Sequence, residues 1–232
     1  RVLSLRGNSL FDEGLIALAG LHGLTGLQSL DVSGTNATAQ GLQALLRFTL
    51  RALDVSHSCD VDDFLLSLAL RGNTTALRNL SLRNTHTQFP AVQALLCTPR
   101  VMYLQRLDAA QNPLWARDFC AYSSSFAFLR QLRALNLAHC QLCNNDLTAL
   151  FPARDFPALR ELDLSGNVEL DLPRFFEEEC GVEQLTGWRQ LDRVLLDRLA
   201  PAALRRLRDV FELCVELPAA AGEPLACVES RR

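Results

Sequence analysis

The sequence predicts an α/β solenoid, in which a short β-strand and a helix recur along most of the chain. The first observation is a pattern of the form L-x-x-L-x-L-x-x-N, most complete as LRELDLSGN over residues 159–167. The second is its recurrence, because the first leucine of the L-x-L pair returns every 23 to 32 residues. These marker residues are Leu3, Leu30, Leu53, Leu80, Leu107, Leu135 and Leu162, with Val194 as a degenerate eighth. The third is helical spacing of apolar residues between successive copies.

Each part of the pattern has a physical role. In a strand, the two leucines of L-x-L point to one face and the residue between them points to the other. The residue at the N position is expected to satisfy backbone groups that the following turn leaves unpaired. This position holds Asn8, Thr35, Ser58, Thr85, Asn112, Cys140 and Asn167. All except Cys140 carry a good hydrogen-bonding group, and a thiol is a weak donor of similar size.

Helical segments are predicted at 14–21, 41–46, 64–68, 92–96 and 147–150, where apolar residues recur at i, i+3 and i+4. A strand and a helix in units of about 27 residues resemble the ribonuclease-inhibitor-like class of leucine-rich repeats. This resemblance implies a right-handed α/β horseshoe with a parallel inner sheet and outer helices. In such a solenoid each repeat buries its apolar face only against its neighbours.

Two segments are expected: residues 1–199 with seven to eight repeats, the first truncated, and residues 200–232 with a capping helix and a tail. The helix is predicted from Pro201 to Leu213 by its apolar spacing. Arg1 already lies inside a repeat, so the chain is expected to be part of a longer protein. Longer inserts near Trp115 and over 175–188 either bind a partner or fill a longer outer helix.

Composition excludes several classes of function. The net charge of −3 gives no bulk attraction to nucleic acid or anionic membranes, so we do not expect nucleic acid as a partner. No apolar run is long enough to span a membrane. All 23 basic residues are arginine, which excludes the lysine chemistry of P-loops, Schiff bases and kinases. Missing lysines indicate either a GC-rich genome or avoidance of ubiquitin acceptors.

Motifs for catalysis or metal binding are missing as well. The eight cysteines are scattered, which predicts buried free thiols and an intracellular, most simply cytoplasmic, protein. Cys140 and Cys143 form a C-x-x-C without the second ligand pair of a zinc site, and the four histidines show no metal-binding spacing. We therefore expect no enzyme activity, no cofactor and no metal.

The residues that alternate with the leucines should form the inner surface. The central column is Ser4, Asp31, Asp54, Ser81, Asp108, Asn136, Asp163 and Leu195. The columns beside it are Arg6, Ser33, Ser56, Arg83, Ala110, Ala138, Ser165 and Asp197 on one side and Val2, Ser29, Ala52, Asn79, Arg106, Ala134, Glu161 and Arg193 on the other. Seven strand steps span roughly 34 Å, the size of a protein or peptide interface, with no small-molecule pocket expected.

The side chains of this predicted surface are small and polar, and none is an aromatic anchor. Its acidic column favours a basic protein or peptide. The predicted partner-binding residues, on the inner surface and the loop edge beyond it, are Arg6, Asp31, Asp54, His57, Arg83, Arg106, Asp108, Gln111, His139, Glu161 and Asp163. Alternatively, aspartate is merely the common solvent-facing residue of this repeat, and both interpretations stay open here.

The sequence thus predicts a non-enzymatic protein-interaction scaffold within a larger protein or assembly, with no membrane or small-molecule substrate. Two narrower hypotheses remain beside it. One is the substrate-recognition arm of a ubiquitin ligase, motivated by the absence of lysine. The other is an architectural subunit of a large cytoskeletal or ribonucleoprotein assembly.

Overall fold

Short strands and helices alternate along the chain in the computed structural model, which describes residues 1–72, 74–114, 130–150, 157–171, 174–175, 191–196, 213–216 and 226–230. The strands of the repeats are β1 (Val2–Ser4), β2 (Ser29–Asp31), β3 (Ala52–Asp54), β4 (Asn79–Ser81), β5 (Arg106–Asp108), β6 (Ala134–Asn136), β7 (Glu161–Asp163) and β8 (Arg193–Leu196). The helices are α1 (Phe11–Gly20), α2 (Ala39–Gln43), α3 (Asp62–Arg71), α4 (Phe89–Leu96) and α5 (Asn144–Leu150). Each predicted helical segment overlaps one of these helices.

The eight strands form one parallel sheet in chain order. The marker residues lie side by side: Leu30 pairs with Leu53, Leu53 with Leu80, and the register continues to Leu162 and Val194. All markers from Leu30 onward are buried, whereas Leu3 is only partly buried at the edge of the sheet. Burying such a side chain contributes about 1.5–3 kcal/mol, so this column is the core of the fold. The predicted α/β leucine-rich repeat solenoid is confirmed.

Two further strands extend the sheet in the opposite sense. They are β9 (Leu213–Glu216) and β10 (Ala226–Ser230); β10 pairs antiparallel with β8, and β9 with β10. The capping helix predicted over 201–213 lies outside the described residues except for Leu213, which begins β9. The insert around Trp115 and residues 176–188 of the second insert also lie outside them. Phe175, at the start of that second insert, is fully buried, so it fills the core.

Two asparagines, Asn112 and Asn167, each join their own turn to the turn of the preceding repeat. The side-chain amide of Asn112 donates to the carbonyls of Leu82 (2.7 Å) and Ala109 (3.0 Å). Its oxygen accepts from the backbone N–H groups of Thr85 (3.0 Å) and Thr87 (3.1 Å). Asn167 repeats the arrangement on the backbone of residues 137, 140, 142 and 164. Both side chains are buried, so they supply partners that water cannot.

The other residues at this position behave less uniformly. Thr35 and Thr85 donate to the carbonyl three residues earlier, at 2.8 Å in each case. The Cys140 thiol donates weakly to the Ala109 carbonyl at 3.3 Å. The hydroxyl of Ser58 is buried and has no hydrogen-bond partner among the described residues, so the role predicted for it is wrong. Nothing in the structure explains why it does not reach the carbonyl of residue 55, as the threonines reach theirs.

Neighbouring helices are joined through a carboxylate. Asp12 of α1 accepts hydrogen bonds from the backbone of Thr38 (2.8 Å) and Gly41 (3.1 Å), at the start of α2. The Thr38 hydroxyl caps α2 by accepting from the N–H of Gln40 at 3.3 Å. Gly41 is required by this approach, because a Cβ there would lie 2.5 Å from the Asp12 carboxylate and 2.7 Å from its Cα.

Replacing Asn112 with leucine should destabilise the fold strongly. The change removes the acceptor of two buried N–H groups, each costing about 1–3 kcal/mol when left unpaired. We expect a marked fall in the midpoint of chemical or thermal unfolding. The control is Asn8→Leu at the equivalent, exposed position of the first repeat, where the loss should be clearly smaller. Equal melting of parent and Asn112→Leu would contradict the repeat register.

Gly41→Ala should also destabilise, because the new methyl group overlaps the Asp12 backbone and must push α1 and α2 apart. Strain of this kind typically costs about 1–3 kcal/mol. Gly20→Ala is the matched control, since a Cβ at Gly20 meets nothing within 4 Å. Urea denaturation of both variants checks this. An unchanged midpoint for Gly41→Ala would show that α1 and α2 can move apart without a loss of stability.

Candidate functional site

The inner surface of the sheet, on the side away from the leucine core, forms a groove of about 490 Å³ that runs from β2 to β8. Its lining includes the carboxylates of Asp31, Asp54, Asp108, Asp163 and Glu161, and the two arginines 106 and 193. The sequence led us to expect a floor without a small-molecule pocket, and the structure adds this open groove along the strands. With five acids against two bases, the lining carries an excess of negative charge.

The acidic column, hereafter the spine (Asp31, Asp54, Asp108, Asp163), has a structural role. One oxygen of each carboxylate accepts from the backbone N–H two residues later, at 3.0 Å for Asp31, 2.9 Å for Asp54, and 3.0 Å for Asp108 and Asp163. Asn136 makes the same bond at 3.0 Å. This closes the turn at the end of each strand. It therefore explains the preference for Asp or Asn, but it does not explain why four of these residues are charged.

The second oxygen distinguishes the spine residues from one another. In Asp31 it accepts from the Ser4 hydroxyl at 2.9 Å. In Asp54, Asp108 and Asp163 the other oxygen has no hydrogen-bond partner among the residues that the structure describes. The middle of the groove therefore presents three acceptors to a ligand.

The pKa shifts of Asp108, in the middle of the spine, and of Asp31, at its end, have opposite directions. Burial raises the pKa of the Asp108 carboxyl above its usual value; the negative charges of Asp54 and Asp163 act in the same direction, while the Ala110 N–H and Arg83 oppose it. For Asp31 burial also acts to raise the pKa, but hydrogen bonds from Ser33 and Ser4 and the charge of Arg6 lower it overall. The Asp108 carboxylate thus carries a cost of burial that its hydrogen bond and Arg83 do not offset.

The column on the C-terminal side of the spine is not the exposed surface that alternation predicts. Ser33, Ser56, Ala110, Ala138 and Ser165 are all buried. The chain turns directly after each three-residue strand, so the strict alternation of faces ends there. Of the predicted binding residues in this column, Arg6 is exposed and Arg83 is partly exposed. They contribute positive charge at its first and fourth positions.

On the other side of the spine an ion pair crosses the groove. Arg106 on β5 donates to Glu161 on β7 at 3.2 Å, spanning the small side chain of Ala134 on β6. The two side chains are 61% and 47% exposed, so the pair contributes at most about 1 kcal/mol to stability. A ligand can break this pair at little cost and use either charge.

The loop edge beyond the strands carries the predicted residues His57, Gln111 and His139, with Asn84 between the first two. All four have a positive φ, between 51° and 60°, and Gly7, Gly34 and Gly166 occupy the same turn position in other repeats. Asn84 lies 3.1 Å from a ring nitrogen of His57. The imidazole of His139 covers Gly166, where an added Cβ would lie 2.1 Å from its Nδ1. These side chains form a polar edge in a backbone conformation that costs about 1 kcal/mol for non-glycine residues.

The described residues show no group of acidic, histidine or cysteine side chains that could hold a metal ion. Cys59, Cys97, Cys140 and Cys143 are free thiols. Burial raises the pKa of the Cys140 thiol to about 12, which leaves it protonated and unreactive. Cys59 is exposed, so the predicted burial of the cysteines is wrong at that position. No helix in the described ranges is both long and apolar enough to cross a membrane.

A family model described as Leucine Rich repeat matches residues 1–19, which include β1 and most of α1. No curated protein matches the chain. Together with the parallel sheet and the strand-helix register of the remaining repeats, the family match supports a leucine-rich repeat protein.

Proposed function

We propose that this chain is a non-enzymatic protein-interaction module of the ribonuclease-inhibitor-like class, and that its groove binds a polypeptide segment with basic side chains. The repeat supports an interaction module in general terms. The observation that carries the finer proposal is the spine, where aspartates present carboxylate oxygens that the fold does not use. The predicted binding residues Arg6, Arg83, Arg106 and Glu161 would border this segment.

The charge of the spine, rather than its hydrogen bonding, supports a basic ligand. Asn136 shows that a neutral amide closes the turn equally well, and Ser4 and Ser81 occupy the same column. Replacing Asp108 with a neutral residue would also relieve its electrostatic cost. A guanidinium or ammonium group placed in the groove would offset the cost of the buried charge on Asp108 and gain charge-assisted hydrogen bonds.

The loop edge supports the same proposal. His57, Asn84, Gln111 and His139 keep a strained backbone conformation although a glycine would avoid the strain, and three of them are exposed. Strain that the core does not require points to a role at the surface. Imidazole and amide groups both donate and accept hydrogen bonds, which suits the backbone of a bound peptide.

A narrower hypothesis, the recognition arm of a ubiquitin ligase, rests on the absence of lysine among the 23 basic residues. An adaptor-binding helix on the same polypeptide would support it, and a lysine-poor proteome in the source organism would remove its basis. The architectural alternative has no specific observation in the groove to favour it.

The groove can be tested with a labelled peptide of six Arg-Ser units, whose 12 residues extend over roughly 40 Å and cover the sheet. The double variant Asp54→Asn with Asp108→Asn keeps the turn hydrogen bonds and removes two charges. We expect its affinity for this peptide, measured by fluorescence anisotropy, to fall about tenfold. Charge reversal with Asp54→Arg and Asp108→Arg should weaken binding further.

The control for this experiment is Glu13→Gln with Asp63→Asn, which removes the same charge from exposed residues of α1 and α3. It should change the affinity less than twofold. Equal losses in the two double variants would indicate attraction by net charge alone. Unchanged binding by the spine variant would exclude the spine as the binding surface.

Asp108→Asn by itself should stabilise the folded protein at neutral pH. Because burial raises the folded-state pKa of Asp108 above that of the unfolded chain, ionisation lowers stability as the pH rises through this interval. The stability difference between variant and parent should therefore shrink below about pH 4, where Asp108 of the parent is protonated in both the folded and the unfolded state. Urea melts over pH 3 to 7 measure this, and a difference independent of pH would contradict the raised pKa.

A further inference from the structure

A row of arginines runs along the edge of the sheet where the strands begin. It consists of the residues two positions before each marker and is here called the N-terminal rim. Its members are Arg1, Gln28, Arg51, Arg78, Gln105, Arg133, Arg160 and Asp192. The backbone N–H of each donates to the carbonyl of the one before, at 2.7 to 2.9 Å, so they are neighbours in space. Five of these eight residues are arginine, and only the last is acidic.

The guanidinium groups of the rim fall into two kinds. That of Arg78 donates to the carbonyls of residues 75 (3.3 Å) and 77 (3.1 Å) and stacks over the ring of Tyr103 at 4.8 Å. Arg160 donates to the carbonyl of residue 159 and lies 3.8 Å from Asp192. Arg51 and Arg133 are exposed and have no side-chain partner among the described residues. Two rim arginines, Arg78 and Arg160, are thus fixed by neighbouring groups. Each follows an exposed arginine without such a partner, Arg51 or Arg133.

The rim keeps its own positive potential next to the acidic groove. Each rim residue lies three positions before the spine residue of the same strand, which is about 10 Å along an extended chain. That separation is close to the Debye length at physiological salt, so dissolved ions screen the attraction between the rim arginines and the spine carboxylates. The surface thus carries two parallel stripes of opposite charge.

We propose that the N-terminal rim binds acidic side chains of a partner polypeptide. This deepens the proposed function and rests on it in one respect, namely that the same segment offers its basic side to the spine. A polypeptide can do both, since alternate side chains of an extended segment point to opposite sides and recur about 6.6 Å apart on each side. The flexible arginines, on strands about 4.8 Å apart, can follow that spacing.

A polypeptide fits the two stripes better than a nucleic acid does. A nucleic acid strand carries a negative charge on every nucleotide and would bring some of these charges over the spine. Exposed apolar surface also adjoins Arg78, because its guanidinium stacks on Tyr103, which is 39% exposed and is preceded in the chain by Met102, 40% exposed. Such aromatic and methionine surface next to an arginine is typical of protein interfaces.

The test uses the whole chain and a labelled peptide of six Glu-Ser units, with a twelve-nucleotide oligouridylate as the second probe. Arg51→Ala and Arg133→Ala remove unpaired, exposed guanidiniums and should not disturb the fold. Arg71→Ala is the control, because Arg71 is exposed at the end of α3, away from the sheet. We expect each rim variant to weaken binding of the acidic peptide about two- to fivefold, and the double variant about tenfold, at physiological salt. The control should change it less than twofold.

The outcomes separate this inference from the proposed function. Acidic-peptide affinity that depends on Arg51 and Arg133, with weaker binding of oligouridylate, supports the rim. Equal effects of the rim and control variants would overturn it, as would oligouridylate binding more tightly in a rim-dependent way. If the Arg-Ser peptide still binds through the spine while the Glu-Ser peptide does not bind, only the rim inference fails. Unfolding melts of each variant confirm that the fold is retained.

Discussion

Hydrogen bonding between successive turns holds this molecule together. A three-residue strand cannot satisfy the backbone of the long connection that follows it, so the chain must find partners in the next repeat. Asn112 supplies them for the turn at residues 85 and 87, and Asn167 supplies them for the turn at residues 140 and 142. The backbone pairing of the parallel sheet sets the spacing between strands, and these side-chain contacts support it at the β4–β5 and β6–β7 steps.

That fixed spacing turns the sequence between the leucines into a surface pattern. Side chains separated by about 27 residues become neighbours, and charges that look scattered in the chain become stripes. The spine gathers Asp54, Asp108 and Asp163 in one column, where burial, with the charges of the other two, raises the pKa of Asp108. The N-terminal rim gathers arginines in the same way at the start of the strands. A rigid surface with opposite charges on parallel lines can favour one orientation of a bound chain over the other.

The aspartates of the spine show how a structural and a recognition role can coexist in one residue. One carboxylate oxygen closes the turn, as an asparagine would, and the other faces the groove. The two interpretations that the sequence left open are therefore compatible. The hydrogen bond explains why the position is Asp or Asn, and the charge is the part that the proposed basic ligand would use.

The sequence by itself determined the repeat, the buried marker column, the positions of helices α1 to α5 and the acidic column, because these follow from local spacing and from the alternation of side chains in a strand. It could not show that Ser33, Ser56 and Ser165 are buried, since that depends on where the chain leaves the sheet. Nor could it show the unpaired hydroxyl of Ser58, the positive φ shared by His57 and His139, or the pairing of β10 with β8. These features were decided only by the tertiary structure, because local residue spacing specifies neither the conformation of each turn nor which distant segments pair.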